Sequence, residues 1–189
     1  LEEVLDQAEE RGVVVPVDLA VYIVVDVLRG LYHALRQPGP DAKPLKLWHG
    51  RVSPNHVMIS AGGEVKLIGF DREWEGHREA SERTADVFIA PELESEDAGG
   101  PSADVYSAAR LLQAMLGDEF RGPDAAEAFD EIKPGLGKLM IAAASTEFEA
   151  RPRDAGAVLR PLRAALFRLN PKCGQEHLAD YLQGLHGEL

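Results

Sequence analysis

Apolar residues recur at Leu1, Val4, Leu5 and Ala8, the i, i+3, i+4, i+7 spacing that lays one stripe along a helix, and the pattern stops at Gly12. A second run opens at Pro16. Its apolar positions, Leu19, Ala20, Ile23, Val24, Val27, Leu28, Leu31 and Leu35, keep the helical period throughout and predict a long helix. QPGPDAKP, residues 37–44, breaks the pattern with the residues that make turns. VMIS and VKLIGF follow, strand-like runs parted by AGGE, and predict a hairpin over residues 57–70. Residues 71–89 are polar without a sustained period and read as a long surface loop. From Ser102 the helical period returns in Val105, Ala108, Ala109, Leu112 and Met115, an apolar helix suited to a central place. Further helices are predicted over 123–132, 135–145, 154–168 and 175–185. The expected class is mainly α with one small β-hairpin.

Composition adds limits rather than an identity. The 189 residues fit one domain, and 45% apolar with 28% charged residues is ordinary for a soluble globular chain. A net charge of −12 argues against a nucleic-acid surface and against an anionic membrane surface. The longest apolar run, Leu19 to Leu28, is interrupted by Asp26 and is too short to insert in a membrane. Cys173 is the single cysteine, so no internal disulfide forms, which fits a reducing, cytoplasmic setting. No signal peptide is visible. The chain opens with Leu1 inside a helical pattern, as if taken from something longer.

The chemistry lies in an ordered set of short motifs. His49-Gly50-Arg51-Val52-Ser53-Pro54 runs into His56 and the hairpin, which ends in Gly69-Phe70. Ala90-Pro91-Glu92 follows, then Ser102-Ala103-Asp104-Val105-Tyr106-Ser107, then Arg151-Pro152, and last HLADYLQGL. In order and spacing this series resembles the C-terminal lobe of protein kinases, and in its Ser-Pro loop the bacterial eukaryotic-like serine/threonine kinases of the myxobacterial type. The resemblance implies a kinase-like lobe over residues 1–170, with a catalytic-loop region at 47–59, an activation-segment equivalent at 69–92 and a central helix at 102–117. Residues 171–189 then form a helical extension.

The same resemblance places the functional positions, and this chain departs from them. The base that orients the substrate hydroxyl would be Arg51, the following Lys position Ser53, the metal-binding Asn His56, and the metal-binding Asp of D-F-G Gly69. Arginine cannot accept a proton, and glycine offers Mg²⁺ no oxygen. A cation at 51 also repels a divalent metal. Two escapes remain open on the residues. Asp71 keeps strand parity with Gly69 but would slip the hairpin register by two. His56 could hold a softer metal, although a lone histidine is more simply a hydrogen-bonded structural residue. No G-x-G-x-x-G with a strand lysine precedes residue 49, so half of a kinase ATP site is missing from this chain. No cofactor and no binding of ATP or Mg²⁺ are expected, and the chain is expected to be no enzyme but a pseudokinase.

The retained positions are framework ones. By resemblance His49 and Phe70 stack beneath the cleft, Asp104 anchors the catalytic loop, and Glu92 pairs with Arg151 behind the activation segment. Gly50 stands where the family's loop-organising arginine would be, so the usual phosphate clamp is lost even though Ser81 and Thr84 offer hydroxyls. Trp74 is the candidate partner contact, with local packing its plainer role. The expected function is an interaction or regulatory module that binds a protein partner or itself, since a lobe without its upper half exposes apolar surface. The alternatives are an atypical nucleotide-dependent transferase with relocated residues and a structural remnant of a larger kinase-like protein.

Overall fold

The computed structural model describes residues 1–70, 86–94 and 99–187. Helix α1 (Glu2–Glu10) buries Val4 and Ala8, two members of its predicted stripe, and the chain turns at Gly12. Helix α2 (Val17–Leu35) begins directly after Pro16, whose carbonyl accepts from the Ala20 amide at 2.9 Å. Ala20, Ile23, Val24, Val27 and Leu28 are wholly buried, so α2 is covered on nearly all sides rather than on one stripe. It is enclosed by α3 (Pro101–Leu116) and α6 (Ala155–Leu169). Each such Leu or Ile contributes about 1.5–3 kcal/mol on burial.

The hairpin forms as β1 (Val57–Ile59) and β2 (Val65–Leu67), antiparallel, with Val57 opposite Leu67, Met58 opposite Lys66 and Ile59 opposite Val65. The paired strands are shorter than the apolar runs that predict them. β2 lies against α2, where a Cβ on Gly30 would touch Leu67. Gly63 turns the hairpin at φ +78°, and a Cβ there would collide with the Gln175 carbonyl. That carbonyl opens α7 (Gln175–His186), which buries Leu178, Leu182 and Leu185 in the common core and packs on α1.

Helices α4 (Ala125–Ile132) and α5 (Leu136–Ala143) pack together, and Phe120 meets Phe129 edge-on at 4.9 Å. Helix α6 starts at Asp154, whose carboxylate accepts from the Gly156 and Ala157 amides at 2.8 and 3.2 Å. It continues through Pro161, which removes one internal hydrogen bond. The burial of Val158, Leu159, Leu162 and Ala165 on both sides of that residue outweighs the loss.

The loop expected over 71–89 is corrected at its end. Asp86–Phe88 forms a 3-10 turn, and Phe88 is buried in the main core. Val87-Phe88-Ile89 is too short a run, at the end of a polar stretch, to set up a period, which is why the pattern misses it. Residues 71–85 lie outside the described residues. Among the described residues no helix is long and apolar enough to cross a membrane.

Candidate functional site

The loop before the hairpin has little regular structure of its own, so its shape is fixed from outside. Asp104, buried in the first turn of α3, accepts the His49 amide at 2.8 Å and the Gly50 amide at 2.7 Å, one on each carboxylate oxygen. Burial pushes its carboxyl up to about 6, against the two amides, which favour the charge.

His49 closes the other side. Its Nδ1 accepts from the Arg51 amide at 3.2 Å, and its Nε2–H donates to the Ile68 carbonyl at 2.7 Å. One neutral tautomer serves both partners. Burial lowers the His49 pKa, and the nearby Arg51 charge lowers it further. The ring meets Phe70 edge-on at 4.9 Å and His56 at 5.0 Å. A single imidazole thus ties the start of the loop to the exit of the hairpin.

Val52 and Ser53 are buried, and Pro54 opens a short 3-10 turn, Pro54–His56. The turn brings Ser53 Oγ within 2.8 Å of His56 Nδ1, and these two atoms are hydrogen-bonded. The same turn's His56 carbonyl accepts the Ile68 amide at 2.9 Å, extending the hairpin by one bond. Gly69 follows at φ +92°, a backbone that favours glycine. A Cβ there would lie 2.8 Å from His56 Cδ2 and 3.4 Å from His49 Nε2. His56 and Gly69 are therefore complementary in shape: the imidazole occupies the volume that a side chain at 69 would enter.

Behind this centre, Arg151 makes four hydrogen bonds. Nη1 and Nη2 donate to the two Glu92 oxygens at 2.6 and 2.7 Å, Nε to the Ser145 carbonyl at 2.6 Å, and Nη2 also to the Thr146 carbonyl at 3.2 Å. The guanidinium lies 4.9 Å over the Tyr106 ring. Arg151 thereby joins the turn Pro91–Glu94 to α3 and to the loop before α6.

The structure brings together His49, Ser53, His56, Gly69, Phe70 and Asp104, and separately Glu92 with Arg151. Trp74 and the alternative carboxylate Asp71 lie outside the described residues, as do Ser81 and Thr84. Sequence patterning misses Trp48. That indole packs against a second apolar cluster of Ala90, Leu93, Ala103 and Tyr106, with its ring over the backbones of Gly50 and Gly99. The available signal was a bulky aromatic between two glycine-bearing segments. Among the described residues no group of three or more His, Cys, Asp or Glu side chains could hold a metal ion. Met58, Ile68 and Phe70 are 57%, 41% and 36% exposed, so the hairpin and its exit present apolar side chains to solvent.

No family model matches the chain. It is similar, at 23% identity over an alignment of 198 positions, to the tyrosine-protein kinase MasK of Myxococcus xanthus, covering 92% of this chain and 30% of that protein. It is also similar, at 29% identity over 130 residues, to guanylate cyclase 2G of Mus musculus, covering 62% of this chain and 10% of that protein. The chain thus spans less than a third of either relative's length. The similarity is distant and kinase-like, and the mainly helical architecture with its small hairpin agrees with the lobe that the motifs imply.

Proposed function

We propose that this chain is a kinase-like lobe that does not transfer phosphate and works as a protein-interaction or regulatory module. The observation that carries the proposal is the contact between His56 and Gly69. Both stand at positions that the kinase resemblance assigns to metal ligands. There an imidazole held by Ser53 lies against a residue without a side chain. Phosphoryl transfer depends on placing Mg²⁺ and a carboxylate base with little other chemistry from the protein. Arg51 at the base position supports the same reading, since it carries a positive charge beside His49 and cannot take up a proton.

The contacts around those positions support a framework reading: Asp104 holds the His49 and Gly50 amides, His49 meets Phe70, and Glu92 pairs with Arg151. A preserved frame around altered chemistry favours a retained surface over a retained reaction. The exposed Met58, Ile68 and Phe70 supply apolar contact area for a protein partner or a second copy.

The test pairs thermal stability with transfer. The chain is melted with ATP and either Mg²⁺ or Mn²⁺ over a wide range of nucleotide, and is assayed for transfer of labelled phosphate to itself and to a generic protein substrate. A ligand at 100 times its dissociation constant would stabilise the fold by about 2.7 kcal/mol. The expected result is no saturable shift and no transfer. Transfer abolished by changing Arg51 or His56 would overturn the proposal in favour of an atypical transferase. Sedimentation of the wild type and of Met58→Glu separates self-association from an unfilled surface.

A further inference from the structure

On the side of the lobe formed by the last turn of α2 and the first half of α6 lies a cleft of about 640 Å³ lined by Tyr32, Arg36, Arg153, Asp154, Arg160 and Arg163. Four guanidinium groups against one carboxylate leave it a formal charge of +3 (4 − 1), in a chain whose net charge is −12. Asp and Glu outnumber Lys and Arg by 32 to 20, so a cleft with four arginines and one acid runs against the composition. That acid is engaged elsewhere, since Asp154 caps α6 through the Gly156 and Ala157 amides. Among the described residues no hydrogen bond or ion pair holds Arg153, Arg160 or Arg163. Arg160 and Arg163 are three apart on α6 and share one side of it, and Arg153, in the bend just before the Asp154 cap, lines the same cleft. Arg36 comes from α2 and is set in place by Tyr32, donating to its hydroxyl at 2.9 Å and lying 5.2 Å over its ring. Tyr32 in turn packs on the backbone of Gly156.

Four like charges converging without counter-ions repel one another, and all four arginines are exposed, so folding does not require them. We propose that this cleft binds a phosphorylated side chain presented by a segment of a protein. A phosphomonoester carries about −1.5 to −2 charge and three acceptor oxygens, and guanidinium forks match that geometry in pairs. The volume lies in the ordinary range of ligand pockets. A long nucleic acid or an anionic bilayer would have to engage more of a chain whose net charge is −12, which disfavours it. A compact dianion needs only the cleft. The site stands apart from the His56 centre and does not depend on whether that centre is catalytic.

The test measures fluorescence anisotropy of a labelled phosphoserine peptide against the full chain at physiological salt. The controls are the same peptide with serine, a pentaglutamate peptide, and phosphatidylserine vesicles followed by co-sedimentation. The expected result is saturable binding of the phosphopeptide, weakened about tenfold or more by loss of the phosphate and by Arg160→Ala/Arg163→Ala. Arg36→Ala/Arg153→Ala, which leaves the α6 pair in place, should weaken it likewise, and Arg121→Ala should leave it unchanged. Melting midpoints of these variants should match the parent, because the side chains are exposed. Absence of saturable binding, equal binding of the serine or glutamate peptide, indifference to both double variants, or binding to vesicles alone would each overturn the proposal.

Discussion

A Cβ placed on Gly69 would stand 2.8 Å from Cδ2 of His56, whose ring is held on its far side by Ser53. The two residues therefore form one packing unit, and a change at either is felt by the other. Gly69→Asp alone has to adopt φ +92° and displace the ring, at a cost of about 1–3 kcal/mol. In His56→Asn/Gly69→Asp the smaller side chain frees the space, leaving mainly the backbone strain. Urea denaturation of both single variants and the double should give a favourable coupling above about 0.5 kcal/mol. Strict additivity would mean that the ring moves aside freely.

Arg151 and Glu92 should respond unequally. Arg151→Ala leaves the Glu92 carboxylate facing a half-buried site without its bidentate partner, and should cost about 3–5 kcal/mol. Glu92→Gln should cost less, because the guanidinium keeps the Ser145 and Thr146 carbonyls and the Tyr106 ring. Chemical denaturation measures both. A loss under about 1 kcal/mol for Arg151→Ala is the size of a surface pair and would contradict its burial.

Asp104 makes stability depend on pH in a stated direction. Its folded pKa is raised from 3.8 to about 6, so between those values the folded chain holds a proton that the unfolded chain has released. The stabilising contribution is fully present below pH 3.8 and is lost as pH rises through about 6. His49 acts oppositely, its lowered pKa favouring the fold above its unfolded value near 6.5. Comparing the wild type with Asp104→Asn cancels the histidine. The advantage of the wild type should shrink as pH rises from about 4 to about 6 and level off above. An advantage that grows across that window would mean that the two amides outweigh burial.

Trp48 should matter more for local order than its loop position implies. Trp48→Ala removes the indole that joins the catalytic-loop region to Ala90, Leu93 and Ala103, at a cost of about 1–3 kcal/mol. The Leu93 amide, bonded to the Ala90 carbonyl at 3.0 Å, should then exchange with solvent faster than amides inside α2. Unchanged exchange at Leu93 would show that the turn Pro91–Glu94 is held by the Glu92–Arg151 pair alone.

Much of this molecule is legible in the order of its residues. The apolar periods place the helices to within a few residues, because α2 and α3 repeat their stripe over several turns and a long repeat averages out single exceptions. The motif series likewise singles out His49, Asp104, Glu92 and Arg151, and in the structure the Asp104 carboxylate accepts the His49 amide and Arg151 pairs with Glu92. Other features depend on neighbours distant in the chain. Phe88 reaches the core from a stretch without periodicity, α6 runs through Pro161 because its flanks are buried, and Gly63 is required by a helix that begins 112 residues later (175 − 63). The His56–Gly69 fit and the four-arginine cleft belong to this second kind. Local pattern records which face of an element is apolar, because that property repeats along the chain. Steric fit and the convergence of charges are relations between separate elements, and only the packed chain brings those elements within reach of one another.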